Sequence, residues 1–178
     1  VTTENAQGPA MDPQEAIANG RRTLEGVVGI PATEGNRVTV LRNGQQIFPA
    51  MLEAIDGAEH TIDFLTFVYW KGEIGTEMAG ALSRRARSGV RVRVLLDAWG
   101  SHPIEEHLID EMKSAGVKLR WFRPLSRLHV HDVNHRTHRK VLVVDESMGF
   151  TGGVGISDLW RGDARDEHEW RDTHFKVE

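Results

Sequence analysis

From Thr61 to Phe122 the chain alternates in type, with short punctuation between the segments. Thr61 to Trp70 is rich in β-branched and aromatic residues and reads as a buried strand. Glu73 to Ser88 sets Met78, Leu82 and Ala86 at helical spacing and stops at Gly89. Val90 to Asp97 reads as a second strand, Pro103 to Ala115 as a helix closed by Gly116, and Val117 to Phe122 as a third strand. Strand, helix, strand, helix, strand at these lengths demands crossover connections, which are right-handed when strands run parallel. The fold class is therefore α/β, with a mostly parallel or mixed β-sheet and helices expected on both of its faces.

The flanks are less regular. Residues 1–36 read as a polar arm followed by a helix that starts at Asp12-Pro13, with Asp as N-cap and Pro at the first helical position, and ends at Gly26 and Gly29. Residues 37–178 form the main lobe. Arg37 to Leu41 alternates like a strand, Asn43-Gly44 reads as a tight turn, and Phe48, Leu52 and Ile55 share one helical face. Val141 to Val144, Gly149 to Thr151 and Thr173 to Val177 complete the expected strands.

Composition removes several classes of function. The longest apolar run, near Phe64 to Trp70, falls far short of the ~20 residues of a membrane span, so this segment would at most touch a membrane peripherally. With no Cys there is neither a disulfide framework nor a thiol nucleophile. The net charge of -4 argues against a generally basic nucleic-acid coat. Charge is nevertheless uneven. Lys118 to Lys140 holds seven Lys or Arg, four His and a single acid, Asp132, whereas Asp158 to Asp172 holds six acids and three Arg. For a charge run alone two solvated loops are the favoured reading, and an anion pocket with its own carboxylates is the functional alternative.

Asn134-His135-Arg136-Thr137-His138-Arg139-Lys140 leads into Val141 to Val144 and Asp145. Alternation in an extended run puts His138 and Lys140 on one face, with Arg136 on that face too if the run begins earlier. An imidazole beside two cations suits a phosphate: the cations neutralise its oxygens, and the imidazole attacks phosphorus or moves a proton. His129, His131, His135 and His138 near Asp132 invite a zinc reading, but their spacing matches no familiar closed site. His102, His107 and His174 read as surface or packing residues. Trp70, Trp99 and Trp160 are candidates to wall a lipid or alcohol site, or ordinary core aromatics.

His138-x-Lys140 followed by four residues and Asp145 resembles the signature of the phospholipase D superfamily. Asn134-x-Arg136-x-His138-x-Lys140 resembles its longer form in bacterial cardiolipin synthases, and Gly152-Gly153 follows at the family's spacing. The resemblance covers roughly residues 37–178. It implies a phosphodiesterase or phosphatidyltransferase acting on glycerophospholipids through a phosphohistidine, with no cofactor and no metal. His138 would be the nucleophile or its general-acid counterpart, and Lys140 a phosphate ligand. Asp145 would organise the motif's loop. Asp172 would orient the motif histidine, with Asp166, Glu167 and Glu169 as its competitors. Arg136, Asn134, Gly152, Gly153 and Ser157 are the further substrate-binding candidates, the glycines through backbone N–H groups. Many family members carry Gly-Ser and Asn after the motif, where this chain has Gly152-Gly153-Val154-Gly155-Ile156-Ser157.

That mechanism needs two imidazoles on opposite sides of phosphorus, and the chain has one copy of the motif. The second would come from a C-terminal lobe of a longer chain or from a homodimer mate. The first is favoured: the last strand stops at Glu178 without a covering helix, and the double glycine resembles the first motif of bilobal relatives. Two other readings stand beside it, a dimeric nuclease using the same residues and a non-catalytic lobe that binds phosphate or a lipid headgroup. Compartment is open, whether exported or at a bacterial membrane.

Overall fold

The computed structural model describes residues 12–124 and 136–178. The chain divides into two compact units, one up to Asn36 and one from Arg37 to Glu178.

In the first unit, α1 (Pro13–Val28) opens on Asp12, whose carboxylate accepts from Gln14 N at 3.0 Å. It closes on Gly29, which adopts φ 70°. Arg21 then ties the helix to the chain that follows, pairing with Glu25 and Glu34 and donating to Ala32 O.

The second unit is a seven-stranded mixed sheet. Its strands are β1 (Val38–Arg42), β2 (Thr61–Thr66), β3 (Arg91–Asp97), β4 (Lys118–Phe122), β5 (Val141–Val144), β6 (Met148–Gly152) and β7 (Thr173–Val177). They lie in the order β1-β7-β6-β5-β2-β3-β4. β2, β3 and β4 are parallel neighbours, and the pairs β2–β5, β5–β6, β6–β7 and β7–β1 are antiparallel. α2 (Asn43–Gly57), α3 (Glu73–Arg87) and α4 (Glu106–Ser114) pack side by side, α3 touching both others.

Alternation shows which face they cover. Ile62, Phe64, Val92, Val94, Leu142 and Val144 are buried in one core with Ile55, Met78, Leu82 and Leu108 from the helices. Each large aliphatic side chain so buried contributes about 1.5–3 kcal/mol. The residues between them, such as Asp63, Leu65, Arg93 and Val143, point to the opposite face and stay partly exposed. Helices were expected on both faces; among the described elements of this unit they share one. β1 and β2 are also parallel, so β1–α2–β2, β2–α3–β3 and β3–α4–β4 are three right-handed crossovers in the same direction across the sheet, which sets α2, α3 and α4 on the same side.

Two local readings are also corrected. Asn43-Gly44, expected as a tight turn, is the start of α2. A Cβ at position 44 would strike the Trp160 carbonyl, so Gly there is what lets the helix meet that chain. The strand expected from Thr61 to Trp70 ends at Thr66, and Phe67 to Trp70 form a loop. No helix among the described residues is long and apolar enough to cross a membrane.

Register fixes where chemistry gathers. β5 runs against β2 with Leu65 opposite Val141, and against β6 with Thr151 opposite Val141; Gly152 then lies opposite His174 on β7. The C-terminal ends of β2, β3 and β6 and the entries to β5 and β7 thus share one edge, the carboxyl end of the parallel strands.

Candidate active site

Lys140 enters β5 at that edge, and the extended run before it places His138 two residues back on the same side. The Lys140 side chain is buried, 5% exposed, whereas His138 is exposed. Lys140 Nζ donates to the His138 carbonyl at 3.1 Å and lies 3.1 Å from Nδ1 and 3.2 Å from Nε2 of the same residue. A group in the ring plane cannot approach both nitrogens this closely without striking ring carbons. The ammonium therefore stands over the imidazole face and does not occupy the in-plane direction of either nitrogen. Phe67 supports the pair, its ring 4.9 Å from the imidazole and 5.8 Å from Nζ.

Burial lowers the Lys140 pKa from its ordinary value, and the charge of Asp172 acts in the opposite sense. Asp172 opens β7 and is tied to the start of α2 by a reciprocal clamp: Asn43 N donates to Asp172 O at 2.9 Å, and Asp172 N donates to Asn43 Oδ1 at 3.2 Å. Asn43, at φ 54°, also donates its side-chain amide to Asp163 O. The Asp172 carboxylate accepts from Thr173 N at 2.7 Å. No hydrogen bond joins Asp172 to His138 among the described residues. Asp172 was expected to orient the His138 ring; its carboxylate instead lies over Gly153 and acts electrostatically on Lys140 and His174. Asp166, Glu167 and Glu169 stay in the exposed loop ahead of β7.

His174, read from the sequence as a surface or packing residue, is a buried one at 1% exposure; its place beside Lys140 and Asp172 is what that reading missed, and its Nδ1 has no hydrogen-bond partner among the described residues. Burial drives its pKa down to about 4, with Asp172 opposing and Lys140 reinforcing. The signal was available: His174 is two residues past Asp172 in a strand, hence on the same face.

The double glycine makes room for this cluster. A Cβ at 152 would strike His174 Nδ1 and the Thr173 carbonyl, and one at 153 would strike the Asp172 carboxylate. Backbone N–H groups here were expected to face phosphate. That of Gly153 instead donates to Thr173 O at 3.3 Å, because it continues the β6–β7 ladder.

The other candidates lie elsewhere. Arg136 turns to Asp97 at the end of β3, Nη1 standing 3.7 Å from Oδ1 and donating to Arg123 O at 2.9 Å; its side chain is only 9% exposed. Asp97 in turn accepts from Trp99 N and Gly100 N. Ser157 is buried and caps the short 3-10 turn Asp158–Trp160, its Oγ accepting from Leu159 N at 3.3 Å. Asp145 sits at the far end of β5 and accepts from Glu59 N, His60 N and Thr61 N at 2.7–2.8 Å. Burial raises its pKa, but these three bonds outweigh it and the net shift is downward. Trp160 belongs to the core, edge-on to Trp170 at 4.7 Å. Trp70 and Trp99 line a groove beside Phe67. His129, His131, Asp132, Asn134 and His135 lie outside the described residues.

Residues 51–159 match the family model described as "Cardiolipin synthase, PLD-like domain". The chain is 39% identical to cardiolipin synthase 1 of Bacillus anthracis over 151 residues, 84% of this chain and 30% of that protein. It is 39% identical to cardiolipin synthase B of Salmonella typhi over 126 residues, 70% of this chain and again 30% of the relative. The chain thus spans about a third of the length of these relatives. Among solved structures, the phospholipase D family member Nuc from Salmonella typhimurium superposes with a TM-score of 0.60 at 18% identity, covering 80% of this chain and 82% of Nuc. The phosphatidylserine synthase of Haemophilus influenzae Rd KW20 gives 0.61 at 16% identity, covering 79% and 32% respectively. The same fold therefore makes up most of one chain and a third of another.

Proposed function

The chain belongs to the phospholipase D superfamily, in its cardiolipin synthase group, and on that premise we propose that it supplies one of two motif-bearing lobes of a phosphatidyl-transferring enzyme. The substrate is a glycerophospholipid, and the acceptor is an alcohol or water. The observation that carries the reading is the Lys140 ammonium held over the face of His138, where it blocks neither ring nitrogen in the plane.

In the first step one His138 nitrogen attacks phosphorus and the bond from phosphorus to the leaving alcohol breaks, giving a phosphohistidine. The leaving oxygen takes a proton from a second imidazolium on the other lobe. In the second step that imidazole, now neutral, removes the proton of the incoming alcohol or water as its oxygen attacks, and the bond to His138 breaks. Lys140 neutralises the non-bridging oxygens; because it is held by the His138 carbonyl and buried, little reorganisation accompanies the charge that develops there. Asp172 favours the cationic form of Lys140 against the effect of burial. Asp145 acts at a distance: it pins the register of β5 against β2, and a slip of one residue would turn His138 and Lys140 to the other face. Arg136 holds the loop after β3 through Asp97. The second lobe belongs to a longer chain or to a second copy, and the assembly meets its lipid at a bilayer surface.

The test is side-by-side turnover of phosphatidylglycerol vesicles and of nucleic acid by the two-lobe assembly, with His138→Ala as the paired variant. Lipid turnover that His138→Ala abolishes while the circular dichroism spectrum is unchanged is the expected outcome. Turnover of nucleic acid alone, or full lipid activity in His138→Ala, overturns the reading.

A further inference from the structure

Phe67 does two things. One side of its environment is the His138–Lys140 pair, and it is also a wall of a groove of about 510 Å3 between the loops that follow β2 and β3. That volume is in the range of small-molecule sites. The other walls are Val68, Trp70, Trp99, Gly100, His102 and Pro103, and among the described residues the lining carries neither a carboxylate nor a Lys or Arg.

The two loops are stitched together. Trp70 Nε1 donates to Gly100 O at 2.8 Å, Ser101 Oγ to Phe67 O at 2.9 Å and Lys71 N to Pro103 O at 3.2 Å. A Cβ at position 100 would strike the Phe67 carbonyl and ring, so only Gly permits this approach. Asp97 holds the Trp99 and Gly100 amides, and Arg136 lies against Asp97. On this fixed backbone the Trp99 side chain is nevertheless 57% exposed. A large aromatic left in water on a rigid loop contributes little to the fold and much to whatever it covers.

We propose that this groove receives hydrocarbon from an acyl chain of the glycerophospholipid whose phosphate lies at His138 and Lys140, with Trp99 as the side chain that favours acylated over acyl-free phosphodiesters. The inference rests on the activity proposed above. The polar side-chain atoms of the described lining are the two indole nitrogens and the His102 imidazole, and Trp70 Nε1 is already bonded to Gly100, so most hydroxyls of a polyhydroxylic headgroup would stay unpaired against these walls. An amphiphile fits: its phosphate reaches the buried cation on one side of Phe67 and its hydrocarbon the aromatic walls on the other.

The experiment compares the two-lobe enzyme with its Trp99→Ala and Trp99→Phe variants on dioctanoylphosphatidylglycerol and on acyl-free glycerophosphoglycerol. Calorimetric binding of the former is measured alongside turnover. Trp99→Ala should lower kcat/KM for the acylated substrate about tenfold relative to the acyl-free one, mainly through KM, and Trp99→Phe should recover most of the loss. An equal fall on both substrates, or no fall on either, overturns the inference while leaving the proposed activity standing. Trp99-dependent binding of the acylated lipid by a wild-type enzyme that does not cleave it supports the groove and sinks the activity instead.

Discussion

Replacing His174 with Gln removes an imidazole that burial holds at a pKa of about 4, against 6.5 for an unburied histidine. Between those values the unfolded chain binds a proton that the folded chain refuses. The stability this represents is fully present above pH 6.5 and is lost as pH falls toward 4. At about 1.4 kcal/mol for each tenfold change in proton affinity, the whole drop is worth about 3 kcal/mol, of which roughly 2.5 kcal/mol is lost by pH 4.5. The assay is urea unfolding of wild type and His174→Gln at pH 7.5 and pH 4.5, with His174→Phe as a second variant. Contributions common to all three proteins cancel in the comparison, and Asp145, whose pKa is lowered, changes charge mainly below this window. Wild type should lose roughly 2.5 kcal/mol more than either variant over this interval. Equal losses would refute the placement of His174 as a buried neutral group beside Lys140 and Asp172.

Other consequences are more local. Asp145→Ala should cost about 2 kcal/mol, less than three charge-assisted bonds would suggest because the Glu59 and His60 amides are exposed; chemical denaturation measures it. Gly153→Ala drives a methyl into the Asp172 carboxylate and should destabilise by about 1–3 kcal/mol while lowering kcat in the folded fraction, as thermal unfolding and steady-state kinetics would record. Because burial lowers the Lys140 pKa, the alkaline limb of the kcat/KM profile should fall below the ordinary lysine range. Lys140→Arg should shift that limb upward, because a guanidinium stays charged throughout.

The parallel half of the sheet was legible because each segment carried its own period and its own stop. The pairing of His138 with Lys140 was legible because a period of two in an extended run fixes which residues share a face. What escaped depends on residues distant in the chain. Asn43-Gly44 has the composition of a turn, and only the Trp160 carbonyl explains why it begins a helix. Phe67 to Trp70 continues the apolar run of β2 yet leaves the sheet to wall a groove. Alternation offered Arg136 a place beside Lys140 if the extended run began earlier, but its long side chain lies against Asp97 instead. Burial of His174 depends on the missing side chain of Gly152 across the ladder, a relation that becomes visible once β6 and β7 are paired.

The central claim is that His138 forms the covalent bond to phosphorus. Rapid acid-free quenching of the two-lobe enzyme during phosphatidylglycerol turnover, followed by denaturing mass spectrometry of its peptides, tests it directly. A phosphatidyl adduct on the peptide containing His138, absent in His138→Ala, is the predicted result; an enzyme in full turnover with no adduct there, or with its adduct on another residue, contradicts the account.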